Sequence, residues 1–319
     1  MQYRPFGRSG FQVSAIGLGG NTFGRACDER DTAAVVHRAL ELGINHFDCA
    51  DTYGGGGVSE RYLGKALKDH RHEVVITTKT GFPLGDGPNS DGLSRRRIIN
   101  NLEASLKRLE TDYVDVFYLH RPDPWSDIEE SLEAVDHLVR QGKVRYAACS
   151  NYSGWEIARL VERSMANGWS VPIVSQSVFN MYQRDVADDI TPALEAYGMG
   201  LVPYSPLAGG VFTGKYKPGQ DTPAGTRAYG NTRMERLVQD DILGPVSELD
   251  AYAQERGYSV GQLAVAWLLA QPTVCSVITG VTKPEQVDQN AAAVDVNLTA
   301  DDLAQVDRIV AQMPADLDT

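Results

Sequence analysis

The chain has 319 residues, 42% of them apolar and 23% charged, a balance that suits a globular protein able to bury a core without disulfides or metal staples. Its 30 basic and 42 acidic side chains leave a formal charge of −12. That argues against nucleic acid as the main partner, since such surfaces are basic, but leaves room for an anionic ligand in a locally positive pocket.

The opening MQYRPFGRSG lacks the apolar core of a signal peptide, and no apolar run reaches membrane-span length. The expected setting is cytoplasmic, with no membrane partner. Cys27, Cys49, Cys149 and Cys275 are scattered, without a CxxC pair, and read as buried reduced thiols. In chain order, YRPFGRSGFQVSA predicts a hairpin turning at Arg8-Ser9-Gly10. Short apolar runs then alternate with helix-period stretches. The runs cover 14–20, 44–48, 74–79, 114–120, 144–150, 173–177, 200–205 and 274–279. The helices that follow them cover 30–43, 59–69, 94–110, 126–142, 153–168, 187–198, 259–271 and 283–294. Asp31 and Gly43 read as the caps of the first helix, and serines such as Ser59 open later ones.

The runs are mostly continuous rather than alternating, as strands buried on both faces should be. Strand then helix, eight times, predicts an α/β fold with a parallel sheet. The length fits one (β/α)₈ TIM barrel spanning 1–319, with the N-terminal hairpin plugging its floor. An open doubly wound sheet competes, but no linker or composition break marks a switch point. The Gly/Pro-rich stretch 206–237 after the seventh strand is long enough to be a lid or binding loop.

Barrel sites are built at the C-terminal ends of strands. Those ends carry Asp48, Lys79, His120, Ser150, Asn151, Gln176, Tyr204 and Ser205. Polar groups there are costly to bury without partners, so their convergence points to one cavity. Tyr53, five residues beyond Asp48, gains a role from it. A phenol is a poor acid at neutral pH, and a nearby Lys79 cation would lower its pKa, with Asp48 holding the lysine charged. His120 offers a second donor to a carbonyl oxygen. Each residue taken singly has a structural reading as packing, ion pair or core histidine. Their placement at consecutive strand ends favours chemistry.

The glycines Gly54 to Gly57 lack the Gly-Lys-Ser/Thr of a phosphate loop and read as a turn that frees Tyr53 to face the pocket. In GLGGNTFG, Thr22 stands where a dinucleotide fingerprint needs glycine. A phosphate site fits better at ITGVTKPEQVDQN, where strand eight ends in Gly280 and a helix opens near Pro284 beside Lys283. No metal is expected: His70 and His72 form the sole HxH and precede a strand, while His37, His46 and His137 are dispersed.

LGINHFDCADTYG, ITTKTG, DYVDVFYLHRPD, GKVRYAACSNYS, QSVFNMY and YSPLAGGVFTGKY, in this order, resemble the aldo-keto reductases along nearly the whole chain. YGGGGVSERYLGKAL and SPLAGG resemble most the branch of bacterial reductases and potassium-channel β subunits. The resemblance implies a tetrad of Asp48, Tyr53, Lys79 and His120, with Tyr53 as proton donor. It implies an NADPH cofactor along Gly20, Asn21, Asp48, Ser150, Asn151, Gln176 and Tyr204. Ser205, Leu207, Gly209, Gly210 and Lys215 would line its pyrophosphate, and Gly280, Thr282, Lys283, Gln286 and Asn290 its adenosine end. Gln286 stands where many members place an arginine for the 2′-phosphate, so Lys283 and Arg227 would replace it and NADH use stays open.

The expected activity is reversible hydride transfer with a small aldehyde, ketone or alcohol, whose walls would be Phe23, Tyr53, Phe82, His120, Trp125 and Tyr229. Two alternatives are a Schiff-base lysine enzyme using Lys79 and a cofactor-binding regulatory subunit that senses redox state. Substrate identity and oligomeric state are not set by the sequence.

Overall fold

Apolar strands flanked on both sides by amphipathic helices can bury both faces only in a parallel sheet that the helices wrap. The computed structural model describes residues 1–315, the side chain of Arg233 aside. It opens with the hairpin β1 (Tyr3–Pro5) and β2 (Gln12–Ser14), paired antiparallel. Eight strands follow: β3 (Ile16–Gly19), β4 (His46–Asp48), β5 (Val75–Thr80), β6 (Val114–Leu119), β7 (Val144–Ser150), β8 (Val174–Val178), β9 (Gly200–Tyr204) and β10 (Val277–Gly280).

Their order is β10-β3-β4-β5-β6-β7-β8-β9, every pair parallel. The two ends meet where the Leu201 amide donates to Thr273 O (2.7 Å) and the Cys275 amide donates to Leu201 O (3.0 Å). The ring is therefore nearly closed, an α/β (β/α)₈ TIM barrel as expected.

The helices in chain order are α1 (Glu29–Glu41), α2 (Tyr53–Gly56), α3 (Val58–Leu67), α4 (Arg95–Leu109), α5 (Ile128–Arg140), α6 (Gly154–Asn167), α7 (Asp185–Asp188), α8 (Ile190–Tyr197), α9 (Thr232–Glu235), α10 (Asp240–Gln254), α11 (Val260–Leu269), α12 (Pro284–Ala291) and α13 (Ala300–Val310). Four of them exceed the expected set: the single turns α2 and α9, and the longer α10 and α13. Gly244-Pro245 reads as a breaker, yet α10 runs through it because Ile242, Leu243, Val246, Leu249 and Ala253 all bury one face. The stretch 187–198 divides into α7 and α8 at Asp189, whose carboxylate accepts from the Gly154 amide on α6.

Some caps also differ. Asp28 caps α1 and Asp31 closes the capping box from inside. The Ser59 hydroxyl caps nothing; buried, it donates to Gly20 O at 2.8 Å and ties α3 to the barrel mouth.

Packing divides into two cores. The larger fills the space between sheet and helices. The smaller lies inside the barrel, where Phe6 and Val13 of the hairpin meet Val75, Val116, Tyr118, Val174 and Val202. Phe11 packs at a tilt against Tyr146 at 5.1 Å and Phe6 abuts His46 at 5.2 Å, so the hairpin plugs the N-terminal end of the barrel. Phe6→Ala should lower the unfolding free energy by about 3–5 kcal/mol, the usual range for a buried phenylalanine, as measured by urea denaturation; an unchanged midpoint would mean that the plug is peripheral.

Candidate active site

Parallel strands in register deliver their last residues to one rim. Asp48 ends β4, Lys79 is the penultimate residue of β5, and His120 follows β6 directly. Ser150 ends β7, Gln176 lies in β8 opposite it, and Tyr204 ends β9. Asp48, Lys79, His120, Ser150 and Gln176 are all buried. The structure thus brings together the residues that the strand ends singled out.

The buried lysine is satisfied on two sides. Lys79 Nζ donates to Asp48 Oδ2 at 2.5 Å and to Cys49 O at 2.8 Å. The second carboxylate oxygen of Asp48 accepts from Thr77 Oγ1 (2.6 Å) and Gln176 Nε2 (3.1 Å). Burial pushes the lysine pKa down, but Asp48 and Tyr53 outweigh it and hold the amine above its ordinary value. Lys79 stays an ammonium.

Tyr53 presents its ring to that ammonium, with Nζ 5.0 Å from the ring centroid. The expectation of a depressed phenol pKa needs correction. Burial raises it and exceeds the lowering by Lys79, so the phenol lies above its ordinary value. Tyr53 therefore keeps its proton at neutral pH, while the cation beside it can receive the phenolate that proton loss creates.

The His120 ring meets Tyr53 edge-on at 6.0 Å and Phe82 at 4.5 Å. Burial, then the charges of Lys79 and Arg121, depress its pKa far below the ordinary value, so the imidazole is neutral. A neutral ring has one N–H to offer a carbonyl oxygen. Arg121 and Arg97, neither foreseen, fix the wall beside it. The Arg121 guanidinium lies 4.7 Å from the Phe82 ring centroid and pairs with Asp91, while Arg97 donates to Phe82 O.

The groups expected to meet the cofactor are engaged with one another. Asn151 Nδ2 donates to His120 O (3.0 Å) and Ser150 Oγ (3.1 Å), and the Tyr204 hydroxyl donates to Asn151 Oδ1 (2.9 Å). Asn151, Ser205 and Ala208 adopt left-handed backbone, with φ of 62°, 57° and 45°, a strain that clusters at functional sites.

Past Ser205 and Leu207 the chain turns through Gly209 and Gly210. A Cβ on Gly210 would stand 2.8 Å from Lys215 Nζ, so a cation lies directly over bare backbone. That cradle fits the phosphates of a dinucleotide, and no larger residue would leave it open. Across the mouth, a Cβ on Gly280 would lie 3.4 Å from Asn21 Oδ1, so these two residues also adjoin. Gly20 is buried beside them.

The helix start at α12 differs from expectation. Gln286 Oε1 accepts from the Thr282 amide (2.7 Å), the Thr282 hydroxyl (3.2 Å) and the Lys283 amide (3.3 Å). Two backbone donors expected for an anion are thus already used, which leaves the Lys283 side chain as the attraction there. Asn290 is buried on the same helix, and Arg227 is exposed on the long loop.

Three of the expected wall residues lie in the core or in solvent. Phe23 is 1% exposed and belongs to the core between sheet and helices. Trp125 is 92% and Tyr229 61% exposed, standing in solvent. Tyr53, Phe82 and His120 do adjoin. Among the described residues no cluster of three or more His, Cys, Asp or Glu could hold a metal, and no helix is long and apolar enough to cross a membrane. All four cysteines are free and buried.

The aldo/keto reductase family model matches residues 15–311. A probable voltage-gated potassium channel subunit beta from Oryza sativa is 40% identical over 98% of both chains, and its Arabidopsis thaliana counterpart is 38% identical over 98% of both. L-glyceraldehyde 3-phosphate reductase from Escherichia coli K12 is 35% identical over 98% of this chain and 93% of its own.

Below the rim, His46 is fully buried two residues before Asp48, its Nδ1 2.9 Å from Ser276 Oγ. Burial drives its pKa down to about 4. Such a histidine stabilises the fold while the unfolded chain is also neutral, and that stability is lost as pH falls below about 6.5, where the unfolded imidazole takes a proton. Between pH 7 and 5 the unfolding free energy of His46→Asn should therefore drop by about 2 kcal/mol less than that of the parent; denaturant titrations at both pH values with identical differences would refute the assignment.

Proposed function

Because the chain belongs to the aldo/keto reductase family, we propose that it is an NADPH-dependent carbonyl reductase, reversible as an alcohol dehydrogenase, with Tyr53 as the proton donor. The observation that carries this reading is the protonated phenol of Tyr53 beside the buried Lys79 ammonium, itself fixed by Asp48. When bound, the reduced nicotinamide supplies a hydride to the carbonyl carbon. The phenol gives its proton to the carbonyl oxygen as negative charge develops there. Lys79 steadies the phenolate left behind, and Asp48 keeps Lys79 charged and in place. The neutral His120 ring donates its N–H to the same oxygen and orients it.

Ser150, Asn151 and Gln176 would hold the carboxamide, and Tyr204 would stack on the nicotinamide ring. Gly209, Gly210 and Lys215 would take the pyrophosphate. Lys283, and Arg227 from the long loop, would meet a 2′-phosphate, which favours NADPH over NADH. A small aldehyde is the first substrate to test, since a relative 35% identical is named for L-glyceraldehyde 3-phosphate reduction.

A second reading, a cofactor-binding subunit that senses redox state, draws on the channel-subunit names of the plant relatives. Slow turnover on every carbonyl with tightly retained cofactor would favour it. Schiff-base chemistry at Lys79 is opposed by the lysine's persistent charge, because an ammonium is no nucleophile.

Tyr53→Phe should abolish carbonyl reduction and leave NADPH binding, followed by protein fluorescence, intact; activity within about tenfold of the parent would exceed what loss of an essential acid allows. Lys283→Met should weaken NADPH by about tenfold or more, the value of one charged hydrogen bond, and leave NADH affinity unchanged. Equal loss for both cofactors would remove the 2′-phosphate assignment.

A further inference from the structure

Tyr53 sits on a segment built largely of glycine, and Lys79 on a strand. Gly54 to Gly57 all adopt left-handed backbone, with φ between 71° and 91°, and glycine backbone contributes little stiffness of its own to the placement of the phenol. Something outside it must set the spacing between phenol and ammonium.

Side chains alternate along a strand. Lys79 points into the barrel, so Thr78 and Thr80 on either side of it point outward. Each meets a carboxylate from the segment that carries Tyr53. Thr80 Oγ1 donates to Asp51 Oδ2 at 3.0 Å, two residues before the tyrosine, and Thr78 Oγ1 donates to Glu60 Oε1 at 2.5 Å, in the first turn of α3 beyond it. Both carboxylates then reach α4. Asn101 Nδ2 donates to Asp51 Oδ2 (3.0 Å) and to Thr80 Oγ1 (2.7 Å), and Arg108 Nε donates to Glu60 Oε2 (2.6 Å). Asn101 and Arg108 stand two helical turns apart on one face.

Asp51, Glu60, Thr78 and Thr80 are each 0% exposed. Sealing two carboxylates from water is costly, and both flank the same short loop. Gly57 is pressed onto the second carboxylate: a Cβ there would lie 2.2 Å from Arg108 Nε and 2.8 Å from Glu60 Oε2.

We propose that Asp51–Thr80–Asn101 and Glu60–Thr78–Arg108 form a two-point clamp that fastens the Tyr53 loop to the back of the Lys79 strand and so sets the phenol–ammonium spacing. These are positioning residues, and their catalytic consequence rests on Tyr53 being the proton donor. Because both threonines flank the lysine, a shift of the strand carries the loop with it, and the two groups keep their separation.

The test uses the full-length protein with ¹³C at the tyrosine Cζ, the Tyr53 resonance being assigned by its loss in Tyr53→Phe. Lys79→Met marks where that resonance lies when no ammonium faces the phenol. In the double variant Thr78→Val, Thr80→Val the Tyr53 resonance should move toward its Lys79→Met position. Single-turnover oxidation of NADPH by 4-nitrobenzaldehyde should slow by about tenfold, as small misplacements of reacting groups do, with NADPH affinity unchanged. Serine at both positions, which restores the hydroxyls, should recover both.

A resonance fixed at the parent position, with only a lower melting temperature, would reduce the clamp to fold support and overturn the proposal. Should the double variant not fold, each single valine variant decides by the same resonance. If the resonance moves but the parent never reduces the aldehyde, the clamp stands and the reductase reading falls.

Discussion

A lysine ammonium and an aspartate carboxylate, 2.5 Å apart and closed off from water, govern the chemistry of the rim. Taking two charges out of water costs several kcal/mol for each ion unless their remaining valences are filled. Here they are filled. Thr77, Gln176 and the Cys49 carbonyl complete the set, so β4, β5 and β8 are tied at one point. The neighbouring ionisation states are set first by burial, and the cation modulates them. It adds to the burial that keeps His120 neutral and opposes the burial that keeps the phenol of Tyr53 protonated. Three titratable groups thus stand in three fixed states across the neutral range.

The rim is also where the backbone departs from comfort. Of the four non-glycine residues with left-handed φ among the described residues, Asn151 and Ser205 directly follow β7 and β9, and Ala208 lies three residues beyond Ser205. Conformations of this kind persist only when their surroundings hold them. The Asn151 side chain bonds on three sides, and Asn180, fully buried, donates to Ser205 O. The glycines that follow do the reverse, leaving backbone bare beneath Lys215. Rigid turns beside an open cradle suit an extended anionic cofactor, which gains affinity when the surface receiving it needs no rearrangement.

Much of this was legible from the chain. Eight apolar runs, each followed by a helical stretch, give the barrel, and polar residues closing apolar strands give the rim, because burying them demands partners. What escaped depends on packing that no local pattern records. Thr77, Thr78 and Thr80 look like ordinary strand residues, since threonine is common there on propensity alone; period two does place Thr77 on the inward face with Lys79. Nothing in the local pattern marks Asp51 and Glu60 as buried, and both are sealed only where α4 meets them. Phe23 and Trp125 looked alike as apolar wall residues, yet one lies in the core and the other in solvent. The direction of the Tyr53 shift was missed because it is a contest between burial and charge, and spacing shows only the charge.

The hairpin at the far end of the barrel has a further consequence. With Phe6 and Val13 filling the floor, that end of the barrel is closed. Whatever approaches Lys79 must therefore come past the lip of strand ends at the opposite end of the barrel. The sealed base is correspondingly remote from that lip, and changes made there for robustness leave the strand-end side chains untouched.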